Sequence, residues 1–310
     1  MAVLALTSAK GAPGVSTTAL AMTLLWPRAA LLAECDPAGS SVLAGYLRGT
    51  VDHSRGLLGL ALAQRHDDLE QALWSQTVPL TNTTAGPGQL SPGQSGSGPA
   101  APGQRWLLPG LSDAAQAPST APLWGPLGSL FSSLERAGTD VLVDAGRLGA
   151  AHAPSPLLRQ ADLVLLVMGT ALPAVAAARA RLAVLRDQLA ITATAGATSG
   201  LALLLVGEGR PYTAREITGA LGVPVLAALP WDPASAQVLS AGAAPSRRFD
   251  SSALVRSTRA AISASQDLIG RRRDRLAPPP ADSSNRDEPA DRPGTAATSH
   301  MRAARRAGQR

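Results

Sequence analysis

Short apolar runs of strand type alternate with Ala-, Leu- and Arg-rich stretches of helical type along most of this chain, and that alternation restricts its fold more than any other feature. The runs are Ala2 to Thr7, Ala29 to Ala33, Trp106 to Pro109, Asp140 to Asp144, Leu163 to Met168, Leu201 to Val206 and Val223 to Leu229. Several are apolar at every position, as strands are when helices cover both faces of a parallel sheet. Between them lie helical stretches at Ser16 to Leu25, Leu123 to Arg136, Pro173 to Leu189, Thr213 to Leu221 and Ser251 to Ile269. Strand and helix in alternation predict an α/β fold, a doubly wound and mostly parallel sheet flanked by helices, with ligands beyond the carboxyl ends of the strands.

With 310 residues and 45% hydrophobic content, the chain can bury a full core. One domain over residues 1–270 is expected. Residues 81–105, rich in Gly, Pro, Ser, Thr and Gln, read as a flexible insertion within it, and residues 271–310 as a disordered Arg- and Pro-rich tail. Apolar runs are strand-sized, far below the roughly 18 residues that span a bilayer. The first six residues lack the positive charge of a signal peptide, so a soluble, cytoplasmic protein is expected. Cys35, the single cysteine, excludes an internal disulfide and suits a reducing compartment. Most of the net charge of +6 sits in the tail, where ten Arg face five acids. Such a tail either makes salt-sensitive contact with DNA or an anionic membrane, or simply keeps the chain soluble. The four histidines show no metal-ligand spacing.

The first strand runs into Ser8-Ala9-Lys10-Gly11-Ala12-Pro13-Gly14-Val15-Ser16-Thr17-Thr18 and then an apolar helix. Gly11 and Gly14 let backbone amides turn toward an anion, and the helix start offers unpaired N–H groups to a phosphate. Ser16 stands where a hydroxyl ligates Mg²⁺.

This loop resembles the deviant Walker A loop of the ParA/MinD family, K-G-G-x-G-K-[ST]-T. Lys10 matches the family's extra signature lysine, Gly11 and Gly14 its glycines, and Ser16 and Thr17 its hydroxyl pair. Ala12 replaces a glycine, and Val15 stands where the general P-loop lysine reaches the phosphates. Losing that charge weakens nucleotide binding by about ten- to a hundredfold. Lys10 is the one lysine among 28 basic residues, and it falls at the signature position. In the family this lysine reaches the partner subunit's nucleotide, so the resemblance implies a homodimer, with ATP and Mg²⁺ as cofactors.

Glu34-Cys35-Asp36-Pro37-Ala38-Gly39 after the second strand is similar to the family's D-x-D-P-x-G segment. The resemblance gives Asp36 a catalytic role in positioning the attacking water, alongside Lys10; the segment also reads as an Asp-Pro turn. Val141 to Gly146 is four residues of strand ending in Asp144, which can hold Mg²⁺ together with Ser16 as a Walker B acid does. Gly146 follows as a candidate γ-phosphate sensor. Arg147 is either a substitute for the missing charge or a solvated loop arginine. Pro230 and Trp231 fall where the family encloses adenine, Trp231 stacking on the base or packing on the surface. Residues 207–212 are the candidate opposite wall.

Two functions compete on this fold. One is a nucleotide-dependent dimeric switch with ATPase activity, serving chromosome partitioning or intracellular positioning of an unidentified protein cargo. The other is a non-hydrolysing scaffold that localises pilus, secretion or division machinery. Val15 favours the scaffold, and Lys10, Asp36 and Asp144 favour the switch. A nicotinamide-dependent enzyme is disfavoured, since the first turn lacks G-x-G-x-x-G.

Overall fold

Eight strands form one sheet in the order β3-β4-β2-β5-β1-β6-β7-β8 in the computed structural model of the chain. They are β1 (Val3–Ser8), β2 (Ala30–Glu34), β3 (Val78–Pro79), β4 (Arg105–Leu108), β5 (Asp140–Arg147), β6 (Leu163–Gly169), β7 (Leu201–Val206) and β8 (Val225–Leu229). The structure describes residues 2–11, 14–64, 68–80, 103–189 and 200–276. Every pairing is parallel except that of β3 with β4, which is antiparallel. The expected mostly parallel, doubly wound sheet is the one observed. Pro79, which lacks an N–H, is tolerated in β3 because that strand lies at the edge.

Ten helices cover the sheet among the described residues: α1 (Val15–Leu25), α2 (Leu57–Ala63), α3 (Leu69–Gln76), α4 (Ala117–Thr120), α5 (Trp124–Arg136), α6 (Ser155–Gln160), α7 (Leu172–Gln188), α8 (Ala214–Leu221), α9 (Pro233–Ser240) and α10 (Ala253–Leu276). Side chains alternate between two cores along each strand. Val3, Ala5, Val141 and Val143 pack on one face with Leu127 and Phe131 of α5. Leu4, Leu6 and Leu142 pack on the other with Leu20 and Met22 of α1 and Ile262 of α10. Both faces are dry, which is why the strands read as continuous apolar runs.

Topology places the site. From β1 the chain crosses through α1 to β2 on one side of the sheet, whereas β6 leads through α7 to β7 on the other. Opposite departures open a crevice at the carboxyl ends of neighbouring strands β1 and β6, and the loop after β1 lies there.

The domain boundary needs correction. Residues 271–276 belong to α10, and one compact unit extends to Arg275. Arg272 donates to the Asp162 carbonyl, and the Arg273 guanidinium bridges Glu135 at 2.7 Å and Asp162 at 2.8 Å. These bonds hold the last turns of α10 against the body, so helix continues where charge alone suggested a tail. The expected insertion is also shorter at its C-terminal end, because Arg105 opens β4 and donates to the Trp26 carbonyl. The remainder of both expected segments, residues 81–102 and 277–310, lies outside the described residues.

Candidate functional site

α1 begins directly on the glycine of the loop. Gly14 adopts φ +86°, a left-handed conformation that a side chain would strain, and its carbonyl accepts the Thr18 N–H at 2.9 Å. A Cβ on Gly11 or Gly14 would meet nothing within 4 Å. Both glycines face a cavity of about 380 Å³, which Ser8, Ser16, Thr17 and Asp36 also line. Ala12 and Pro13 lie outside the described residues.

Beneath the loop the acids converge. Asp144, only 2% exposed, accepts the Gly146 N–H at 3.0 Å and lies near the Ser16 hydroxyl, which favours its ionised form. Burial pushes its carboxyl up to about 7. The Ser16 hydroxyl and the Gly146 N–H oppose that rise, while the charges of Glu34 and Asp36 add to it. Ser16 and Asp144, far apart in sequence, are thus brought together as the metal-binding reading requires. No group of three or more His, Cys, Asp or Glu is placed to hold a metal among the described residues. A hydroxyl and one carboxylate still fit Mg²⁺, which commonly takes few protein ligands and completes its shell with water and substrate phosphates.

Asp36 lines the same cavity and accepts the Ala38 N–H at 2.8 Å in a turn. Its carboxylate lies against Gly146, whose φ is +61° and where any Cβ would collide with it. Glu34 does something else. Its carboxylate accepts from the Ser40 hydroxyl at 2.5 Å, the Ser41 N–H at 2.9 Å and the Val42 N–H at 3.0 Å. It therefore pins the loop that brings Ser41 and Val42 to the cavity wall. Cys35 between these acids is buried, and burial with the negative charge of Asp144, Glu34 and Asp36 pushes its thiol well up, leaving no nucleophile.

Val15, the first residue of α1, is 7% exposed, belongs to the same apolar cluster as Leu20 and also lines the cavity of the loop glycines. The loop thus offers no cation at that position. Lys10 is exposed and lines a different cavity of about 260 Å³, with Gly169, Pro173 and Trp231. Arg147 is exposed on the wall of the first cavity.

Pro230 and Trp231 line a further cavity of about 300 Å³ together with Gly14 and Thr17, so this pair does meet the loop. Trp231 is 62% exposed. Of residues 207–212, Gly207 lies beneath Trp231, but residues 208–212 line neither cavity beside it. The Thr170 hydroxyl lies 2.9 Å from the carbonyls of both Gly207 and Arg210, sharing its one proton between them, accepts the Arg210 N–H at 3.3 Å, and fixes this turn. The cavity of the loop glycines also receives Leu239 and Ser240 from α9, which sequence reasoning missed. The signal was present in Asp232-Pro233: Asp232 caps α9 by accepting the Ser235 N–H at 3.1 Å, with Pro233 in its first turn.

A glycine-turned loop after a central strand, with a helix-start hydroxyl near an acid on the adjacent strand, is the arrangement of a P-loop-like α/β fold. No protein-family model and no curated protein sequence matches the chain. Solved structures do. The septum site-determining protein MinD of Pyrococcus horikoshii OT3, complexed with Mg-ADP, is similar with TM-score 0.60 at 15% identity, over 87% of this chain and 98% of that one. A ParA-family ATPase of Chlorobium tepidum TLS gives TM-score 0.55 at 15% identity, over 87% and 98%. A putative plasmid partition protein of Borrelia burgdorferi B31, bound to AMPPNP, gives 0.55 at 10%, over 86% and 98%. Within the P-loop class, this chain has the ParA/MinD-like fold.

Proposed function

We propose that the chain binds ATP with Mg²⁺ at the Ser8 to Thr18 loop and acts as a dimeric, nucleotide-dependent switch in partitioning or positioning a cellular cargo. The observation that carries this reading is the approach of Ser16 to Asp144 beneath the open glycines, with Asp36 on the same cavity. A fold shared with MinD and ParA-family ATPases supports it.

Each residue has a defined task. Amides of the loop and of the first turn of α1 receive phosphate oxygens. Ser16 and Asp144 hold the ion, which when bound neutralises charge on the terminal phosphates. Asp36 orients water at the cavity mouth. Lys10 opens onto another cavity than the one lined by Ser16 and Asp36, a placement that suits action on a partner's nucleotide rather than its own. Pro230 and Trp231 hold the base.

Val15 favours a second reading, a scaffold of the same fold that binds nucleotide without turning it over. Titration with a fluorescent ATP analogue and Mg²⁺, followed by phosphate-release measurement, separates the two. Saturable binding with slow release is expected for the switch, and binding without release for the scaffold. Absence of saturation at millimolar nucleotide would remove both.

A further inference from the structure

Resting on the ATP-binding reading, we propose that Arg147 replaces the missing loop lysine as the cation that meets the terminal phosphates. The position of the usual lysine is held by Val15, which lines the cavity of the loop glycines but brings no charge to it. Among the described residues lining the cavity of the loop glycines, Arg147 is the one basic side chain. Lys10 opens onto a different cavity.

A backbone irregularity brings Arg147 there. Between Leu6 and Ser8 the pairing of β1 with β5 shifts, so that Leu6 is opposite Asp144 but Ser8 is opposite Arg147. Gly146 absorbs the extra residue at φ +61°. The Thr7 hydroxyl donates to the Gly146 carbonyl at 3.0 Å, and the Leu148 N–H donates to the Ser8 carbonyl at 2.8 Å. Both ends of the bulge are therefore tied to the residues from which the phosphate loop departs. Bulges re-aim side chains next to functional sites, and this one sets Arg147 beside the root of the loop.

The side chain is also uncommitted. Arg28, Arg105, Arg272 and Arg273 spend their guanidinium groups on carbonyls or carboxylates, whereas that of Arg147 has no hydrogen bond or ion pair among the described residues. Arg147 also borders a second cavity, of about 360 Å³, whose lining includes Arg181. Like-charge repulsion from Arg181 disfavours that side, and the acids and phosphates favour the other. A guanidinium reaching in from the strand β5 side supplies the same charge as a lysine reaching up from the helix, with a planar fork suited to phosphate oxygens.

The test measures affinity of the full chain for fluorescent analogues of ATP, ADP and AMP with Mg²⁺, in the parent, Arg147→Ala, and Arg147→Ala combined with Val15→Lys. Thermal melting without nucleotide is run alongside and is expected to match between parent and Arg147→Ala, since the side chain is exposed. Arg147→Ala is expected to weaken ATP roughly ten- to a hundredfold, as loss of a charge-assisted contact does, and to leave AMP unchanged. Adding Val15→Lys should restore ATP affinity by returning the charge from its usual position. Equal ATP affinity in parent and Arg147→Ala, or an equal loss for ATP and AMP, overturns the assignment while leaving the nucleotide reading intact. A parent that binds none of the three nucleotides sinks the nucleotide reading, and the role of Arg147 with it.

Discussion

Asp144 is a residue through which stability responds to pH. Its carboxyl titrates at about 7 in the fold, against 3.8 in an unperturbed chain. Between those values the folded state holds a proton that the unfolded chain has released. Stability from this group therefore falls as pH rises through that window and levels off above it. Asp144→Asn removes the ionisation while keeping an oxygen for the Ser16 hydroxyl. Thermal unfolding without nucleotide is expected to show parent and variant alike at pH 4. By pH 8 the variant should be more stable, by on the order of a few kcal/mol. The same variant should lose the Mg²⁺-dependent part of ATP binding. Equal melting of the two proteins at pH 8 would mean that Asp144 is ionised there without penalty. At this scale the sequence was informative about identity and silent about environment: an acid ending an apolar strand was visible, but not the burial that shifts it.

Among the elements, α10 is the one whose extent matters most. A chain ended after Leu276 is expected to melt like the full chain. Ending it after Gly270 deletes Arg272 and Arg273, and with them the bonds to Asp162 and Glu135. Arg273 is 41% exposed, so solvent screens its pairs. The loss is expected to be about 1–2 kcal/mol, read as a lower melting temperature. Gel retardation at low salt, comparing the full chain with the one ended after Leu276, checks how much polyanion binding residues 277–310 carry; with six Arg against four acids removed, retardation should weaken, as it should with added salt. Long elements were legible in sequence: β7 is found at the expected Leu201–Val206, and α1 and α5 within one residue of expectation at their starts. Helices α2, α3, α6 and α9, each of eight residues or fewer, were not, since so short a stretch holds barely two turns of periodic signal; α8, itself of eight residues, was nonetheless expected at Thr213 to Leu221. Edge strand β3, two residues long, carries no alternation at all.

At the scale of the whole molecule, the placement of Lys10 bears on association. Lys10 is exposed on the loop, beside a cavity that its own Ser16 and Asp36 do not line. If it serves a partner's nucleotide, Lys10→Ala should leave the monomer folded and reduce the dimer fraction in sedimentation with ATP and Mg²⁺. Lys10→Arg should recover it only in part, since a planar guanidinium is bulkier than an ammonium in a closed interface. Identical dimer fractions in all three proteins would leave Lys10 a solvated loop residue.

Sequence by itself determined the layers and the loop. Apolar runs without alternation require a sheet buried on both faces, and glycines between a strand and a helix make a turn that exposes amides, whatever surrounds them. The tertiary structure decided which groups meet. Ser16 and Asp144 are 128 positions apart, and Arg147 is opposite Ser8 because of a one-residue bulge. Such encounters depend on strand order and register, which are set by how the two cores fill from all strands at once, and no local window of sequence contains that information.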